Sequence, residues 1–102
     1  DCPAFVARLS CYQPNPFEVT PPTVRCTEAI VAQVEPSVTA ACTNEGLSTT
    51  KDACPREGLI GICVNTSPST GPTFANYFYV GGADTAEKAK ASCSPPAIWC
   101  GQ

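Results

Sequence analysis

Apolar positions in this chain come in short runs broken by proline, glycine and small polar residues. Leu59-Ile60-Gly61-Ile62-Cys63-Val64 is short and rich in β-branched residues, which predicts a strand. Asn65 to Thr73, NTSPSTGPT, has the composition of a loop. Phe74 to Val80 holds Tyr77-Phe78-Tyr79-Val80 and predicts a second strand, which Gly81-Gly82 ends. Asp84-Thr85-Ala86-Glu87 resembles a capping box, with Asp84 as the cap and Glu87 three residues later. The helix it opens runs over about 85–93, brings Ala86, Ala89, Lys90 and Cys93 to one face, and stops at Ser94-Pro95-Pro96. Ala97 to Cys100 predicts a short last strand.

The first half repeats that order. Phe5 to Tyr12 predicts a strand and Gln13 to Pro22 a proline-rich loop. Val24, Ile30, Ala32 and Val34 mostly alternate, which favours a strand over Val24 to Val34. A helix over 28–35 competes, because Thr27-Glu28-Ala29 is able to start one. Pro36 suits the first turn of a helix that carries Val38, Ala41 and Cys42 and ends at Gly46.

Eight cysteines in 102 residues change the picture, because none belongs to a C-x-x-C pair of the kind zinc and thioredoxin-like sites use. An even count at wide spacing in a small chain predicts four disulfides formed in an oxidising compartment. Cys2-Pro3 is followed nine positions on by Cys11, and Cys54-Pro55 nine positions on by Cys63; a further cysteine follows each at Cys42 and Cys93. This spacing predicts a small disulfide-rich α+β fold of two tandem strand–strand–helix modules, residues 1–53 and 54–102, packed as one unit. Chance spacing is the competing explanation, since residue identity outside the cysteines is slight. Equivalent bonds in equivalent places are then Cys11–Cys42 and Cys63–Cys93. For the remaining four the preferred pairing is Cys2–Cys26 with Cys54–Cys100. Phe5, Leu9, Phe17, Ile60, Ile62, Phe78 and Trp99 are the expected apolar anchors.

Ala53-Cys54-Pro55, Gly61-Ile62-Cys63, Tyr77-Phe78-Tyr79 and Thr85-Ala86-Glu87-Lys88-Ala89 up to Cys93 together resemble a Cys-rich module of predicted secreted and surface proteins of bacteria. The resemblance covers about residues 40–100. That family carries G-G-x-W after its last cysteine, where this chain has Ser94-Pro95-Pro96-Ala97-Ile98-Trp99, so the turn there must differ. It implies secretion and a non-enzymatic surface role, and assigns no catalytic residue.

Composition narrows the function classes further. The chain has no histidine, which removes Ser-His and Cys-His nucleophile pairs and histidine metal sites. Net charge is −3, and the six basic residues are too scattered for a phosphate-binding stripe, so nucleic acid is not an expected partner. No apolar run approaches the length of a membrane span. Asp1-Cys2-Pro3 reads as a processed mature end, with no signal peptide before it. No cofactor or metal is expected, and an enzyme is disfavoured because two 50-residue modules make little room for a paired-carboxylate cleft.

The remaining candidates are binding features. Tyr77 and Tyr79 alternate with Phe78, which offers either an exposed aromatic platform or side chains packed against the helix or the other module. Asn65-Thr66-Ser67 fits the N-glycosylation pattern, though so short a sequon also arises by chance. The Ser/Thr cluster over 66–73 suits O-linked sugar. The leading functional expectation is a secreted structural subunit of an extracellular filament or cell-surface assembly. Its partner is another copy or another surface protein, met head to tail through Phe5, Leu9 and Trp99. The alternative is a monomeric secreted binding, adhesion or inhibitor domain.

Overall fold

The computed structural model describes residues 2–14, 23–80 and 85–101. In chain order these form β1 (Leu9–Pro14), β2 (Thr23–Ala29), a 3-10 turn (Ala32–Val34), α1 (Glu35–Asn44), β3 (Leu59–Ser67), β4 (Gly71–Tyr79), α2 (Ala86–Ser92) and β5 (Ile98–Gly101). The strands make one antiparallel sheet in the order β1-β2-β4-β3-β5. The fold is therefore a small α+β fold with four disulfides. The two hairpins share this single sheet, because β2 pairs directly with β4 from Arg25↔Phe78 to Ala29↔Phe74.

Side chains alternate across a strand, so the register sorts the sheet into two faces. Cys26, Glu28, Ile62, Val64, Ala75, Tyr77, Tyr79 and Cys100 are cross-strand neighbours on one face. Seven of these, with Cys54, form the buried apolar core, and Phe5, Ile30, Leu59 and Ile98 pack against it. Cys11, Thr27, Cys63, Phe74, Asn76, Phe78 and Trp99 are neighbours on the other face.

All eight cysteines are paired. Cys11–Cys42 and Cys63–Cys93 form as the spacing predicts, each bonding the first strand of a hairpin to the helix that follows. The other two differ from the expectation: Cys2 bonds Cys100 and Cys26 bonds Cys54. The cause lies in the strand order. β5 adds beside β3, at the edge opposite β1, which sets Cys100 on the core face beside Ile62. From Leu9 to that far edge is about 19 Å, four strand spacings. The seven steps from Leu9 back to Cys2 reach about 23–25 Å when extended. Residues 2–7 therefore cross the core face as a strap instead of pairing, which is why β1 begins at Leu9 and not at Phe5.

The segment over 50–55 covers the rest of that face. Ser10 and Thr50 exchange backbone hydrogen bonds of 2.8 and 2.9 Å. Ser10 Oγ donates to the Asp52 carbonyl at 2.7 Å and Tyr79 Oη to the Pro55 carbonyl at 2.7 Å, while the Cys54 N–H donates to Glu28 Oε2 at 2.8 Å. The expected module boundary at 53/54 lies inside this clamped crossing.

Several elements differ from their sequence expectations for local reasons. β2 stops at Ala29, not Val34, because the Ile30 and Val31 N–H groups turn to the Thr73 carbonyl before the 3-10 turn starts. The competing helix over 28–35 loses to pairing of Glu28 and Ala29 with both neighbouring strands. The expected 65–73 loop shrinks to residues 68–70, since β3 continues to Ser67 and β4 begins at Gly71, whose φ of 74° makes the turn. The polar residues there have partners that composition does not reveal: Thr66 Oγ1 donates to the Pro96 carbonyl and Thr73 Oγ1 to the Asn65 carbonyl. Pro36 does occupy the first turn of α1, and Gly46, at φ 75°, closes it as the Leu47 N–H returns to the Cys42 carbonyl at 2.9 Å. Thr85 caps α2, its Oγ1 accepting from the Lys88 N–H at 3.2 Å. Asp84, Phe17, the 15–22 part of the proline-rich loop and Gly81-Gly82 lie outside the described residues.

Candidate functional site

The two helices do not close the second face of the sheet. α1 lies over β1 and β2, held by Cys11–Cys42 and by ion pairs of Arg8 with Glu35 at 2.6 Å and of Arg25 with Glu45. Both pairs are partly exposed, so they orient the helix more than they stabilise it. α2 lies near β3, held by Cys63–Cys93, with Ala89 buried. Helices of 10 and 7 residues placed over opposite sides leave central strand β4 uncovered between them.

The result is a cleft of about 610 Å³ beside α1. Its walls come from Val34, Val38 and Leu47 on the helix side and Phe74 and Phe78 on the sheet side. Alternation along β4 explains the sheet wall: Phe74, Asn76 and Phe78 face the cleft and are half-buried, whereas Ala75, Tyr77 and Tyr79 turn into the core. Asn76 is held in place, its Oδ1 accepting from Thr27 Oγ1 at 2.9 Å. Trp99 lies across Gly61 and meets Phe78 at 5.8 Å with the rings tilted by 44°, which extends the aromatic row toward β5. The rim is polar, with Gln13 Oε1 accepting from Arg25 Nε at 2.9 Å and Arg25 paired with Glu45.

Of the two readings of Tyr77 and Tyr79, the packed one holds: both turn into the core among residues of both halves of the chain, such as Cys26 and Ile62, and not against a helix. Both are buried, and the exposed aromatic is Phe78 between them, in part. Burial first, and then the neighbouring Glu28 carboxylate, push the Tyr77 phenol well above its ordinary value. Burial and then Glu28's charge do the same for Tyr79, while Arg56 opposes both.

Of the three expected contact residues, Phe5 in the strap and Trp99 in β5 line one cavity, whereas Leu9 starts β1 at the opposite edge of the sheet. Asn65 lies within β3, half-buried opposite Phe74, and not in an open loop. Among the described residues no helix is long and apolar enough to cross a membrane, and no three His, Cys, Asp or Glu gather as metal ligands. Four disulfides are consistent with an oxidising, extracellular environment.

The sequence reading missed Glu28 and the α1 wall of the cleft. Glu28 is 1% exposed, a buried carboxylate at an inward strand position. The period-two series Cys26, Glu28, Ile30 carries that signal once the strand is accepted. No comparable pattern marks Val34 and Leu47, because they lie on either side of α1 and meet only through its docking. No family model, curated protein or solved structure matches this chain.

Proposed function

We propose that the chain is a secreted, disulfide-stapled binding domain that works as a monomer and takes apolar side chains of a protein partner into the cleft beside α1. The observation that carries this reading is the cleft itself. It is a half-buried aromatic row on the central strand, walled by aliphatic side chains and rimmed by a charged pair, on a framework that disulfides hold rigid. Preformed sites of this kind lose little conformational entropy on binding. The reading is non-enzymatic. It agrees with the surface role implied by the resemblance of residues 40–100 to Cys-rich modules of secreted bacterial proteins.

A second reading, a structural subunit of a filament or surface assembly built from repeated strand–strand–helix modules, is favoured by one observation. β5 is an edge strand of four residues, able to accept a strand from another copy. The other edge is less open: Ser10 already bonds Thr50, and Pro14 has no N–H. Cys2 and Cys100 are bonded to each other within one chain, so neither is free to link successive copies.

Peptides displayed on phage and selected against the oxidised chain test the first reading. Selected ligands should share paired apolar residues, and Leu47→Asp at the cleft wall should abolish their binding while the disulfides still form. Binding that survives Leu47→Asp removes the cleft as the site. Polymers seen by electron microscopy and light scattering at high concentration would replace the monomer with the subunit reading.

A further inference from the structure

We propose that the cavity beneath the N-terminal strap, on the face opposite the cleft, is a binding site for an organic ammonium group, with Glu28 as its counter-ion. The cavity measures about 710 Å³ and is lined by Phe5, Glu28, Arg56, Ile62 and Tyr77, among others. Glu28 is 1% exposed. Its Oε2 accepts from the Cys54 N–H at 2.8 Å, and its Oε1 has no hydrogen-bond partner among the described residues. An ionised carboxylate accepts about four hydrogen bonds, and a buried one with an unused oxygen gains most from a charged donor.

The wall of the cavity suits the same ligand. Tyr77 and Phe5 present aromatic surface beside the carboxylate. The guanidinium carbon of Arg56 stands 5.8 Å from the Tyr77 ring centroid, within the range of a cation–π contact. A cation from this chain therefore already rests on that wall, and it is exposed and makes no hydrogen bond to Oε1. Burial and Glu28 together keep the Tyr77 phenol protonated, so the wall stays neutral beside the carboxylate. A metal ion fits poorly, since among the described residues Glu28 belongs to no group of three His, Cys, Asp or Glu side chains. An anion would meet a buried carboxylate. An ammonium on an apolar or aromatic body satisfies the unused oxygen, the aromatic wall and the cavity's size at once.

The strap supplies the roof. Residues 2–7 line the cavity, and the Cys2–Cys100 bond holds the far end of that segment to β5. Entry is then past Arg56, whose displacement a competing cation must achieve.

Titration of the oxidised, isotope-labelled chain with benzylammonium, followed by amide NMR, tests the proposal, with benzyl alcohol as the neutral counterpart. Benzylammonium should shift the Phe5, Cys54 and Tyr77 amides in a saturable way, and benzyl alcohol should bind at least about tenfold more weakly. Glu28→Gln should weaken benzylammonium by a similar factor. Arg56→Gln, at an exposed position, should tighten it several-fold by removing the resident cation. Equal binding of the two compounds, or no saturable shift with either, overturns the site. So does unchanged affinity in Glu28→Gln. Should Glu28→Gln fail to form its disulfides, Arg56→Gln decides, because unchanged or weaker binding there contradicts a competing cation.

Discussion

The two faces of the sheet carry two disulfides each, yet one is roofed by extended backbone over a cavity and the other is left open between two helices. On the strap face, Cys2–Cys100 and Cys26–Cys54 tie down extended backbone, which lies flat, follows the pleat and exchanges hydrogen bonds with Ser10, Glu28 and Tyr79. On the helix face, Cys11–Cys42 and Cys63–Cys93 tie down two short helices, each about 10 Å wide with its side chains. They stand apart over the two sides and leave β4 between them. Cross-links alone therefore do not decide whether a face closes. The shape of what they hold decides it, and the open face is where a partner can be received.

Removal of one disulfide from each face gives the largest test of this contrast. Their loops are nearly equal, with separations of 28 for Cys26–Cys54 and 30 for Cys63–Cys93, so the chain-entropy contribution is the same, about 3.6 kcal/mol each. Burial differs: Cys26 and Cys54 are 2% and 4% exposed within the core, whereas Cys93 is half-buried at a helix end. The double change Cys26→Ala with Cys54→Ala should cost about 4–5 kcal/mol in denaturant melts, and Cys63→Ala with Cys93→Ala about 3.5–4 kcal/mol. Equal losses would erase the distinction between a strapped and an open face.

Gly61→Ala probes the aromatic row. A Cβ at Gly61 would lie inside the Trp99 ring, 2.8 Å from its Cη2, so the indole must leave its place beside Phe78. The expected cost is roughly 1–3 kcal/mol, with a red shift of the emission of Trp99, the chain's single tryptophan. An unchanged midpoint and spectrum would mean that Trp99 does not lie across Gly61 in solution.

Thr85→Ala should cost about 1 kcal/mol by removing the cap from α2. Amide exchange should quicken in α2 while β3 and β4 keep their protection, because the helix face is assembled from parts that loosen separately. Accelerated exchange throughout the sheet would show that the two faces melt together.

The smallest effect at neutral pH concerns the strap face. Tyr77 and Tyr79 keep their protons above the ordinary phenol value of 10.0, and in the unfolded chain they do not. Below pH 10 both phenols are protonated in either state, and stability does not depend on them. As pH rises past 10 the unfolded chain releases protons that the folded chain retains, so stability falls. Absorbance titration at 295 nm should find Tyr77 and Tyr79 silent until the fold opens. Reversible ionisation of both in the native state would show that burial does not hold their protons.

Much of the secondary structure was legible because its causes are local. Pro36 starts a helix, Gly46 ends one, and the runs around Ile62 and Tyr77 have no other economical conformation, while the cap of α2 falls at Thr85, one residue past the expected position. The cleft and the Glu28 cavity were not legible, since each joins residues far apart in sequence: Val38 with Phe78, and Phe5 with Glu28 and Arg56. Asn65-to-Thr73 shows a subtler limit. Its polar composition reads as loop, but Thr66 and Thr73 spend their hydroxyls on backbone carbonyls and allow the strands to continue.

By itself, the sequence determined that the chain is cross-linked, that helix follows hairpin twice, and that Cys11 meets Cys42 and Cys63 meets Cys93. Those bonds lie within single strand–strand–helix units, where spacing and secondary structure suffice. Only the tertiary structure decided the partners of Cys2, Cys26, Cys54 and Cys100. These depend on β2 pairing with β4 and on β5 joining the sheet beside β3, opposite β1. Strand order is a non-local choice, made by which apolar faces bury one another, and no cysteine spacing encodes it.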